Sequence, residues 1–590
     1  MEMTLQPEIL LNLSKEQEFV CTSQDNIYLT ACPGSGKTLT LTRRLAYLTS
    51  QNPLSRKWNI AITYTNRAAD EITKRLEMLE IDLSNIWTGT IHQFCMQFII
   101  RPYSMYLSRL SKGFTIIDEY VQREYCFEIS KDLGLPFNYF NIFEYPEIKI
   151  AYLARLKTNK EIDFDQILQF SDELVRRNPF ICDNISLILN SVLVDEFQDT
   201  NALQYNILSQ ICRLNKKLNL LFVGDVNQAI FGTLGGIAKS KAELNAMFDT
   251  NFVERSLTGC YRSTQQVIDF YTNFEVSPTG VISVSEIKKI RGNLSFTSSV
   301  TSGELPRRIA KIILSELSSG VSAEEICVVA PQWQQLFHLS SNLKELLPNV
   351  PFDAPDISPI KYDRLNPFYL IARLVFTESG KNVSIRKRVA TELLTTLHDD
   401  FQLQIPNGID SYDILRTINL SLNQNNDGLV ILQNSIEAVF QLLKIQFKSE
   451  KDLRNMFLRF FEKIQSRVKK YSMETDYISI SKYFKERSGV VLSTIHGIKG
   501  EEYTTVIAFS LLNGYLPNWS YIWDDIMKPK RFNETQKLLY VLCSRSKRNI
   551  YLFSEKGHKT KSGKDYTPTD ELIAVAVPGT TSMFPIRMPD

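Results

Sequence analysis

Residues 31–38 read Ala31-Cys32-Pro33-Gly34-Ser35-Gly36-Lys37-Thr38, and this stretch decides the fold class. An aliphatic run at Asn26–Ala31 precedes it and predicts a buried strand, while helical spacing follows at Leu39–Leu48. Glycines at a strand-to-helix turn let backbone N–H groups surround phosphate oxygens, beside the positive end of the helix dipole. We therefore interpret the stretch as a phosphate-binding loop (P-loop) that carries Ala31 in place of the first glycine.

The side chains of the P-loop predict ATP and Mg²⁺ as the bound cofactors. Lys37 is expected to reach the β- and γ-phosphates, and the hydroxyl of Thr38 is expected to ligate Mg²⁺. The residues expected to surround the phosphates are Pro33, Gly34, Ser35 and Gly36.

Charged residues further along the chain extend this predicted site. Asp195 and Glu196 directly follow a second aliphatic run, Ser191–Val194, where Asp195 is expected to hold Mg²⁺ and Glu196 to polarise the attacking water. Arg262 and Arg545 are candidate arginine fingers, because a planar guanidinium binds phosphate oxygens bidentately. Their spacing alone leaves open that either arginine is an ordinary surface residue.

Composition restricts the class of protein independently of any motif. The chain has 590 residues, of which 44% are hydrophobic and 22% charged, so it fits a multidomain globular protein and excludes wholesale disorder. The net charge is only +2, so charge by itself gives no evidence for a nucleic-acid partner. We expect a cytoplasmic protein with reduced thiols and no membrane partner, because the sequence shows no long apolar run, no secretory leader and no CxxC pair.

Aliphatic runs fall into two separated sets, which predicts two parallel sheets in an α/β protein. The first set is Asn26–Ala31, Trp58–Thr63, Ser191–Val194 and Asn219–Val223; the second set is Ile326–Ala330, Val490–Thr494, Thr505–Phe509 and Asn549–Phe553. Helical spacing dominates two intervening regions, with examples at Ser435–Phe447 and Asp452–Val468. These regions are expected to be helical insertions into the α/β domains.

Motifs in a fixed order give the chain a resemblance to superfamily 1A helicases of the UvrD, Rep and PcrA kind. The matching stretches outside the P-loop are 13–17 (LSKEQ), 62–69 (ITYTNRAA), 89–94 (GTIHQF), 114–119 (FTIIDE), 162–165 (IDFD), 195–201 (DEFQDTN) with Gln204, 224–228 (GDVNQ), 261–263 (YRS), 494–502 (TIHGIKGEE) and 539–546 (LYVLCSRS). They extend from Leu13 to Ser546, so the resemblance covers most of the chain.

The resemblance implies two RecA-like P-loop domains, each interrupted by a mainly helical insertion, with ATP bound between the two. The implied first domain (1A) comprises residues 1–95 and 188–253, with residues 96–187 as its insertion (1B). The implied second domain (2A) comprises residues 254–376 and 486–590, with residues 377–485 as a reduced insertion (2B).

The resemblance also implies roles for individual residues. Gln17 would read the adenine edge, Tyr261 would stack on adenine, and Gln228 would sense the γ-phosphate. Glu502 would contact the nucleotide, and Arg262 and Arg545 would act as fingers. The implied DNA contacts are Thr63, Tyr64, Asn66, His92, Thr494 and His496. Tyr64 is equally open to interpretation as a plain strand aromatic.

Three departures from the family pattern affect the expected coupling between DNA and ATP. Thr233 replaces an aromatic residue that stacks on a DNA base, and Leu234 replaces an arginine near the γ-phosphate. Glu501 replaces an apolar residue, and the second insertion is short. We therefore predict DNA-stimulated ATP hydrolysis with weak unwinding of long duplexes.

Three functional hypotheses follow. The first is an ATP-dependent translocase on single-stranded DNA and a 3′–5′ DNA helicase, acting at junctions of duplex and single strand in DNA repair or replication restart. The alternative is a DNA-responsive ATPase subunit with a nuclease partner, for instance in Gabija-type antiviral defence. The third is a P-loop ATPase without a nucleic-acid partner.

Overall fold

The computed structural model describes residues 8–52, 54–138, 141–232, 235–354, 366–377, 383–399, 401–422, 427–470, 475–481, 484, 489–523, 527–560 and 562–576. By internal contacts the chain divides into two units. Among the described residues, unit 1 comprises those within 8–294, 517–550 and 570–576, and unit 2 comprises those within 295–516 and 551–569. The boundaries predicted for four domains stay a prediction.

Strands run through both units. In chain order they are β1 Ile27–Ala31, β2 Trp58–Thr63, β3 Ile86–Thr90, β4 Thr115–Ile116, β5 Glu161–Ile162, β6 Leu189–Asp195, β7 Asn219–Gly224, β8 Val253–Leu257, β9 Gly259–Cys260, β10 Ile282–Ser283, β11 Leu294–Thr297, β12 Ile326–Ala330, β13 Phe352–Asp353, β14 Val490–Thr494, β15 Tyr503–Ala508 and β16 Ser546–Phe553.

Helices connect most of these strands. They are α1 Lys15–Thr22, α2 Lys37–Ser50, α3 Asn66–Met78, α4 Ile91–Phe94 (continued by a π-helical segment at Cys95–Ile100 and a turn at Arg101–Tyr103), α5 Glu119–Asp132, α6 Pro146–Asn159, α7 Phe164–Arg177, α8 Pro179–Ile188, α9 Ala202–Cys212, α10 Lys241–Phe248, α11 Gln265–Tyr271, α12 Leu305–Ser318, α13 Trp333–Leu346, α14 Pro367–Phe376, α15 Val383–Asp399, α16 Ser411–Ser421, α17 Gly428–Leu442, α18 Lys451–Lys470, α19 Tyr477–Ser481, α20 Ser520–Trp523, α21 Arg531–Ser544 and α22 Asp570–Ala576.

Unit 1 contains a six-stranded sheet with the order β3-β2-β6-β7-β1-β8, in which every neighbouring pair is parallel. Side chains alternate between its two faces, as the pleat of a strand requires. Ile27 and Leu29 of β1 belong to one buried cluster, with Leu41 and Leu45 of α2, while Tyr28 belongs to the cluster on the other face. Apolar side chains therefore cover both faces, which explains why the strands appear as continuous aliphatic runs.

The first helical region of unit 1 has its own packing. α5 and α6 enclose a small cluster that includes Tyr125, Ile148 and Tyr152, and α7 and α8 contribute to the larger cluster beside the sheet. This region also contains the short parallel pair β4 and β5.

In unit 2 the sheet has the order β11-β16-β15-β12-β14-β13, and β12 is parallel to both β14 and β15. Helices α14 to α19 surround a separate, Phe-rich core that includes Phe368, Phe376, Phe440 and Phe460. The predicted α/β class with parallel sheets is confirmed, and the predicted bounds of β12 and β14 agree with the structure to the residue.

The helix predicted at Ser435–Phe447 is wrong in its bounds. The observed helix α17 is Gly428–Leu442. It begins early because the Asp427 side chain accepts hydrogen bonds from the backbone N–H groups of Leu429 and Val430. Soon after its end, Lys444 has a left-handed backbone with φ of 55°, so the helix cannot continue to Phe447.

Two general properties complete the fold. All nine cysteines are buried and free. Within the described ranges, every helix is too short or too polar to cross a lipid bilayer.

Candidate nucleotide-binding site

The parallel sheet of unit 1 places three chemically active strand ends at one edge. β1 ends at Ala31 before the P-loop, β6 ends at Asp195, and β7 ends at Gly224 before Asp225. Because β6, β7 and β1 are neighbours and parallel, their carboxyl ends lie side by side. This edge is where open α/β sheets bind ligands.

Two glycines of the P-loop are required by backbone conformation and by space. Gly34 and Gly36 have φ of 72° and 79°, which only glycine adopts without strain. A Cβ on Gly34 would lie 2.6 Å from Cβ of Arg262, and one on Gly36 would lie 2.8 Å from Nε2 of Gln17. Either substitution would therefore displace another candidate residue of the site.

Hydrogen bonds hold the P-loop against β8 and the turn that follows it. The N–H of Cys32 donates to Leu257 O (3.1 Å), and the N–H of Tyr261 donates to Gly34 O (2.8 Å). The hydroxyl of the buried Ser35 donates to Cys32 O at 2.8 Å, and α2 begins directly after Gly36. A hydrogen bond within the P-loop therefore links its two halves, and the loop ends at the N-terminus of α2. Pro33 is buried.

Lys37 lies beside Glu196. The Nζ of Lys37 is 3.7 Å from Oε1 of Glu196, and both side chains are mostly buried. Glu196 has a left-handed backbone with φ of 51°, a strained conformation that is concentrated at functional sites. Gln198 donates from Nε2 to the other carboxylate oxygen of Glu196, so the side chain is held on both sides.

Two buried carboxyl groups, Asp195 and Asp225, accompany this pair. Burial, together with the neighbouring Glu196 carboxylate, raises the pKa of Asp195, and the Lys37 ammonium opposes that rise. Burial also raises the pKa of Asp225, again opposed by Lys37 and by the hydrogen bond from Gln228. Lys37 is therefore the cation that favours the charged forms of both carboxyl groups.

Arg545 reaches this cluster through Gln228. Its Nη2 donates to Oε1 of Gln228 at 2.8 Å, and Nε2 of Gln228 donates to Oδ2 of Asp225 at 2.7 Å. Arg545 is 2% exposed, and burial together with the nearby Arg262 lowers its pKa to about 10. The sequence separates Arg545 from Gln228 by 317 positions, yet both lie in unit 1.

Arg262 and Tyr261 lie next to the P-loop on the segment after β9. The Nη1 of Arg262 donates to Ser544 O at 3.1 Å, which joins it to the end of α21 and so to Arg545. Tyr261 is 48% exposed. The two candidate fingers therefore belong to one network.

Gln17 bridges α1 to the P-loop. Its Nε2 donates to Ser35 O at 3.0 Å, and its Oε1 accepts from the N–H of Ser14 at 2.9 Å. The side chain is 2% exposed. Each amide atom has one bond to the protein, which leaves one donor hydrogen and one acceptor lone pair for a further partner.

The residues of the site fit ATP and Mg²⁺. Within the described part of the chain, the Thr38 hydroxyl and Oδ2 of Asp195 form no hydrogen bond, so two hard oxygens are open to a cation that prefers oxygen ligands. The loop glycines, the N-terminus of α2 and Lys37 form the surroundings that a polyphosphate requires.

The candidate DNA contacts of unit 1 differ in their burial and in the side chains that they contact. Tyr64 is 42% exposed and stacks on Phe231, with ring centroids 5.0 Å apart and an interplanar angle of 23°. Thr63 is buried and donates to Thr65 O at 2.9 Å. Asn66 begins α3 with a buried Oδ1 that lacks a hydrogen bond, and His92 packs edge-on against Phe164.

The remaining candidates lie in unit 2. Thr494 ends β14, and its hydroxyl accepts from the N–H of Gly497 at 3.2 Å. His496, in the turn that follows, is exposed, and so is Glu502 before β15. Thr233 and Leu234, which carry the predicted loose coupling, lie outside the described residues.

Sequence reasoning missed three contributors to the site. Asp225 ties Gln228 to the cluster, Gln198 joins Glu196 to Asp225 by accepting from the Asp225 N–H at 3.0 Å, and Phe231 stacks on Tyr64. Asp225 and Gln198 lie in motifs quoted above and Phe231 lies three residues after one, but the sequence does not show which side chains they contact.

Two family models match this chain. The UvrD/REP helicase N-terminal domain matches residues 12–142 and 141–245, and the UvrD-like helicase C-terminal domain matches residues 462–557. The chain belongs to the UvrD/Rep family of superfamily 1A helicases. This assignment confirms the predicted resemblance, the fold class that it implied and the prediction of a helicase-class enzyme.

Members of the UvrD/Rep family that resemble this chain include bacterial proteins named ATP-dependent DNA helicase PcrA. The protein of Staphylococcus epidermidis is 23% identical over 633 residues, covering 92% of this chain and 83% of that protein. The Leuconostoc citreum protein is 32% identical over 289 residues, covering 43% of this chain and 38% of that protein. The Staphylococcus aureus protein (strain NCTC 8325) is 28% identical over 312 residues, covering 46% and 42%. In the last two comparisons the matched region is less than half of the relative's length.

Proposed function

We propose that this chain is an ATP-dependent translocase on single-stranded DNA and a 3′–5′ DNA helicase that requires Mg²⁺. The observation that carries the proposal is the chain of hydrogen bonds from Arg545 through Gln228 to Asp225, beside Lys37 and Glu196. It brings a buried arginine into the cluster of polar side chains that includes Lys37 of the P-loop, as a finger that senses the γ-phosphate requires. The relatives named ATP-dependent DNA helicase support the DNA part of the proposal.

Each residue of the cluster has a role in hydrolysis that follows from its contacts. Lys37 supplies positive charge for the β- and γ-phosphates, and Thr38 and Asp195 would hold Mg²⁺. When bound, Mg²⁺ neutralises charge that develops on the phosphate oxygens. Glu196 orients the attacking water, and Gln198 fixes that carboxylate from its far side.

Gln228 and Arg545 are suited to sense whether the bound nucleotide carries a γ-phosphate. Their mutual hydrogen bond gives each side chain a partner in the absence of a phosphate. A γ-phosphate would compete for the same guanidinium, because charge-assisted bonds to phosphate are stronger than a bond to a neutral amide. Arg262, joined to the carbonyl of Ser544, would move with Arg545 when this exchange occurs.

Gln17 and Tyr261 are the proposed adenine contacts. The free donor and acceptor on the Gln17 amide suit the adenine edge, and the exposed aromatic side chain of Tyr261 suits the adenine ring. Glu502, in unit 2, is a further proposed nucleotide contact, and it rests on the family resemblance alone.

The proposed DNA contacts include one aromatic platform. The Tyr64 and Phe231 pair offers a ring surface on which a base can stack, for a contribution of about 1–3 kcal/mol. Thr63, Asn66, His92, Thr494 and His496 would contact the strand as they do in the family. The proposed substrates are single strands and junctions between duplex and single strand.

We propose that the enzyme acts in DNA repair or replication restart in the cytoplasm, a setting that suits a PcrA-like enzyme. The relatives give no support to the alternative of a nuclease-associated defence subunit. That alternative stays a prediction from the short second insertion and from the altered residues Thr233 and Leu234.

The proposal is tested by the rate of ATP hydrolysis with and without single-stranded DNA. We expect the rate to rise on addition of single-stranded DNA in wild type, and to stay at background in Glu196→Gln. ATP-dependent strand displacement should then require a 3′ tail on the duplex. A rate that does not change with DNA would favour a P-loop ATPase without a nucleic-acid partner.

A further inference from the structure

Helices α15 and α16 of unit 2 enclose a pocket that the proposed function does not use. Its volume is about 400 Å³, within the range of pockets that bind small molecules. The lining side chains that matter here are Arg386, Tyr412, Leu415, Arg416, Asn419 and Leu420. The lining thus combines apolar side chains with two guanidinium groups.

Arg386 is a buried cation without a carboxylate partner among the described residues. It is 3% exposed, and its Nη2 donates to Leu374 O (3.2 Å) and to Oδ1 of Asn419 (2.9 Å). Its Nε is buried without a hydrogen bond, and its Nη1 donates to no acceptor within the described ranges. Burying an uncompensated charge is costly, and burial accordingly lowers the pKa of Arg386. The arrangement is explained if an anion supplies the missing partner.

The surroundings of Arg386 add positive charge. Arg416 lines the same pocket, is exposed, and forms no ion pair within the described part of the chain. Lys387 Nζ lies 3.0 Å from the Tyr412 hydroxyl and 4.6 Å from the centroid of its ring. Two carboxylates at the N-terminus of α16, Asp410 at the N-cap and Asp413 in the first turn, are engaged with each other's backbone in a capping box.

We infer that this pocket binds a small organic phosphate, with the phosphate on Arg386 and Arg416 and the organic part against Tyr412, Leu415 and Leu420. A phosphate monoester carries nearly two negative charges and three acceptor oxygens, which matches two guanidinium groups that lack carboxylates. Asn419, whose oxygen is occupied by Arg386, has amide hydrogens left to donate. A bare phosphate would leave most of the pocket empty, so the ligand carries an apolar or aromatic body.

The test uses the full chain with its P-loop saturated by ADP and Mg²⁺. Thymidine 5′-monophosphate is titrated by calorimetry, because it lacks both adenine and the β- and γ-phosphates that the P-loop binds. We expect saturable binding that Arg386→Met and Arg416→Ala each weaken about tenfold to a hundredfold, as expected for lost charged hydrogen bonds. Arg454→Ala, an exposed arginine of α18 outside the pocket, is the matched control and should bind like wild type.

Two further titrations identify which part of the ligand the pocket recognises. Thymidine without phosphate should not bind, and a single-stranded oligonucleotide should bind wild type and both pocket variants equally. If the variants weakened the oligonucleotide and left thymidine 5′-monophosphate unchanged, the pocket would belong to a nucleic-acid surface and the inference would be wrong. Equal binding of the monophosphate by wild type and Arg416→Ala would also overturn it.

Thermal melting separates a ligand site from a structural role of Arg386. Methionine has a similar length and no charge, so Arg386→Met should melt at the same temperature as ligand-free wild type or higher. A clearly lower melting temperature, together with unchanged binding by Arg416→Ala, would mean that Arg386 only supports the fold.

Discussion

At the scale of single residues, the proposed hydrolysis of ATP depends on Lys37, the cation that interacts with Glu196, Asp195 and Asp225. Lys37→Ala should abolish ATP turnover while far-ultraviolet circular dichroism stays unchanged, because the side chain interacts with carboxylates of the site and not with the hydrophobic core. Lys57→Ala, an exposed lysine, is the control. Turnover near the wild-type rate in Lys37→Ala would show that this P-loop is not the hydrolytic site.

Glu196 is expected to act on water and not on nucleotide affinity. Glu196→Gln keeps the side-chain shape and the oxygen that accepts from Gln198, so nucleotide binding should persist. The rate of hydrolysis should fall about 10²- to 10⁴-fold, as for loss of a positioned general base. Fluorescent nucleotide titration and single-turnover hydrolysis measure the two effects separately. Lost nucleotide binding in this variant would indicate a structural role for the carboxylate.

Arg545 and Gln228 should behave as one functional unit. Arg545→Ala and Arg262→Ala should each reduce the rate of hydrolysis about 10³-fold, the scale of a lost arginine finger. Gln228→Ala combined with Arg545→Ala should cost less than the sum of the single effects, since the two side chains share a hydrogen bond. Arg548→Ala is the matched control on β16. Strictly additive effects would mean that the bond has no part in hydrolysis.

At the scale of elements, a buried carboxylate joins the ends of β15 and β16 in unit 2. Glu555 accepts from the N–H (2.9 Å) and the hydroxyl (2.7 Å) of Ser510, which has a left-handed backbone with φ of 55°. Burial by itself would raise the pKa of Glu555, but hydrogen bonds from His558 and Ser510 hold it below the ordinary value of 4.5. At pH values above 4.5 the charged Glu555 carboxylate therefore stabilises the folded state. This contribution to stability is lost as the pH falls through the lower pKa that Glu555 has in the folded state.

Thermal unfolding of Glu555→Gln tests this contribution. At pH 7 the variant should be less stable by about 1–3 kcal/mol, the cost of leaving buried partners poorly satisfied. The difference in melting temperature from wild type should narrow as the pH falls below 4.5. Glu345→Gln, an exposed glutamate of α13, is the control. A difference that widened in acid would contradict the assignment.

Elements of the fold were predictable where local burial determines them. β12 and β14 are buried along their whole length, so their mainly aliphatic runs give their bounds directly. α17 was not predictable in the same way, because the Asp427 cap and the left-handed Lys444 fix its ends through backbone hydrogen bonding and conformation. Periodicity of side chains carries no information about either feature.

The candidate site was predictable only in part. The P-loop and the Asp195–Glu196 pair follow strands, so spacing alone indicates their chemistry. Spacing could not bring Arg545 to Gln228, and only the family resemblance predicted a role for both. The stack of Tyr64 on Phe231 and the buried Arg386 depend on tertiary packing, and no sequence pattern indicated them.

At the scale of the whole molecule, the central claim is that ATP hydrolysis moves the chain along a single strand in the 3′ to 5′ direction. Displacement of streptavidin from biotinylated single-stranded DNA tests this claim without requiring duplex unwinding, which the changes at Thr233 and Leu234 are predicted to weaken. We predict rapid, ATP-dependent displacement from a 5′-biotin end, none from a 3′-biotin end, and none from either end with Lys37→Ala. Displacement from the 3′ end, or equal displacement without ATP, would contradict it.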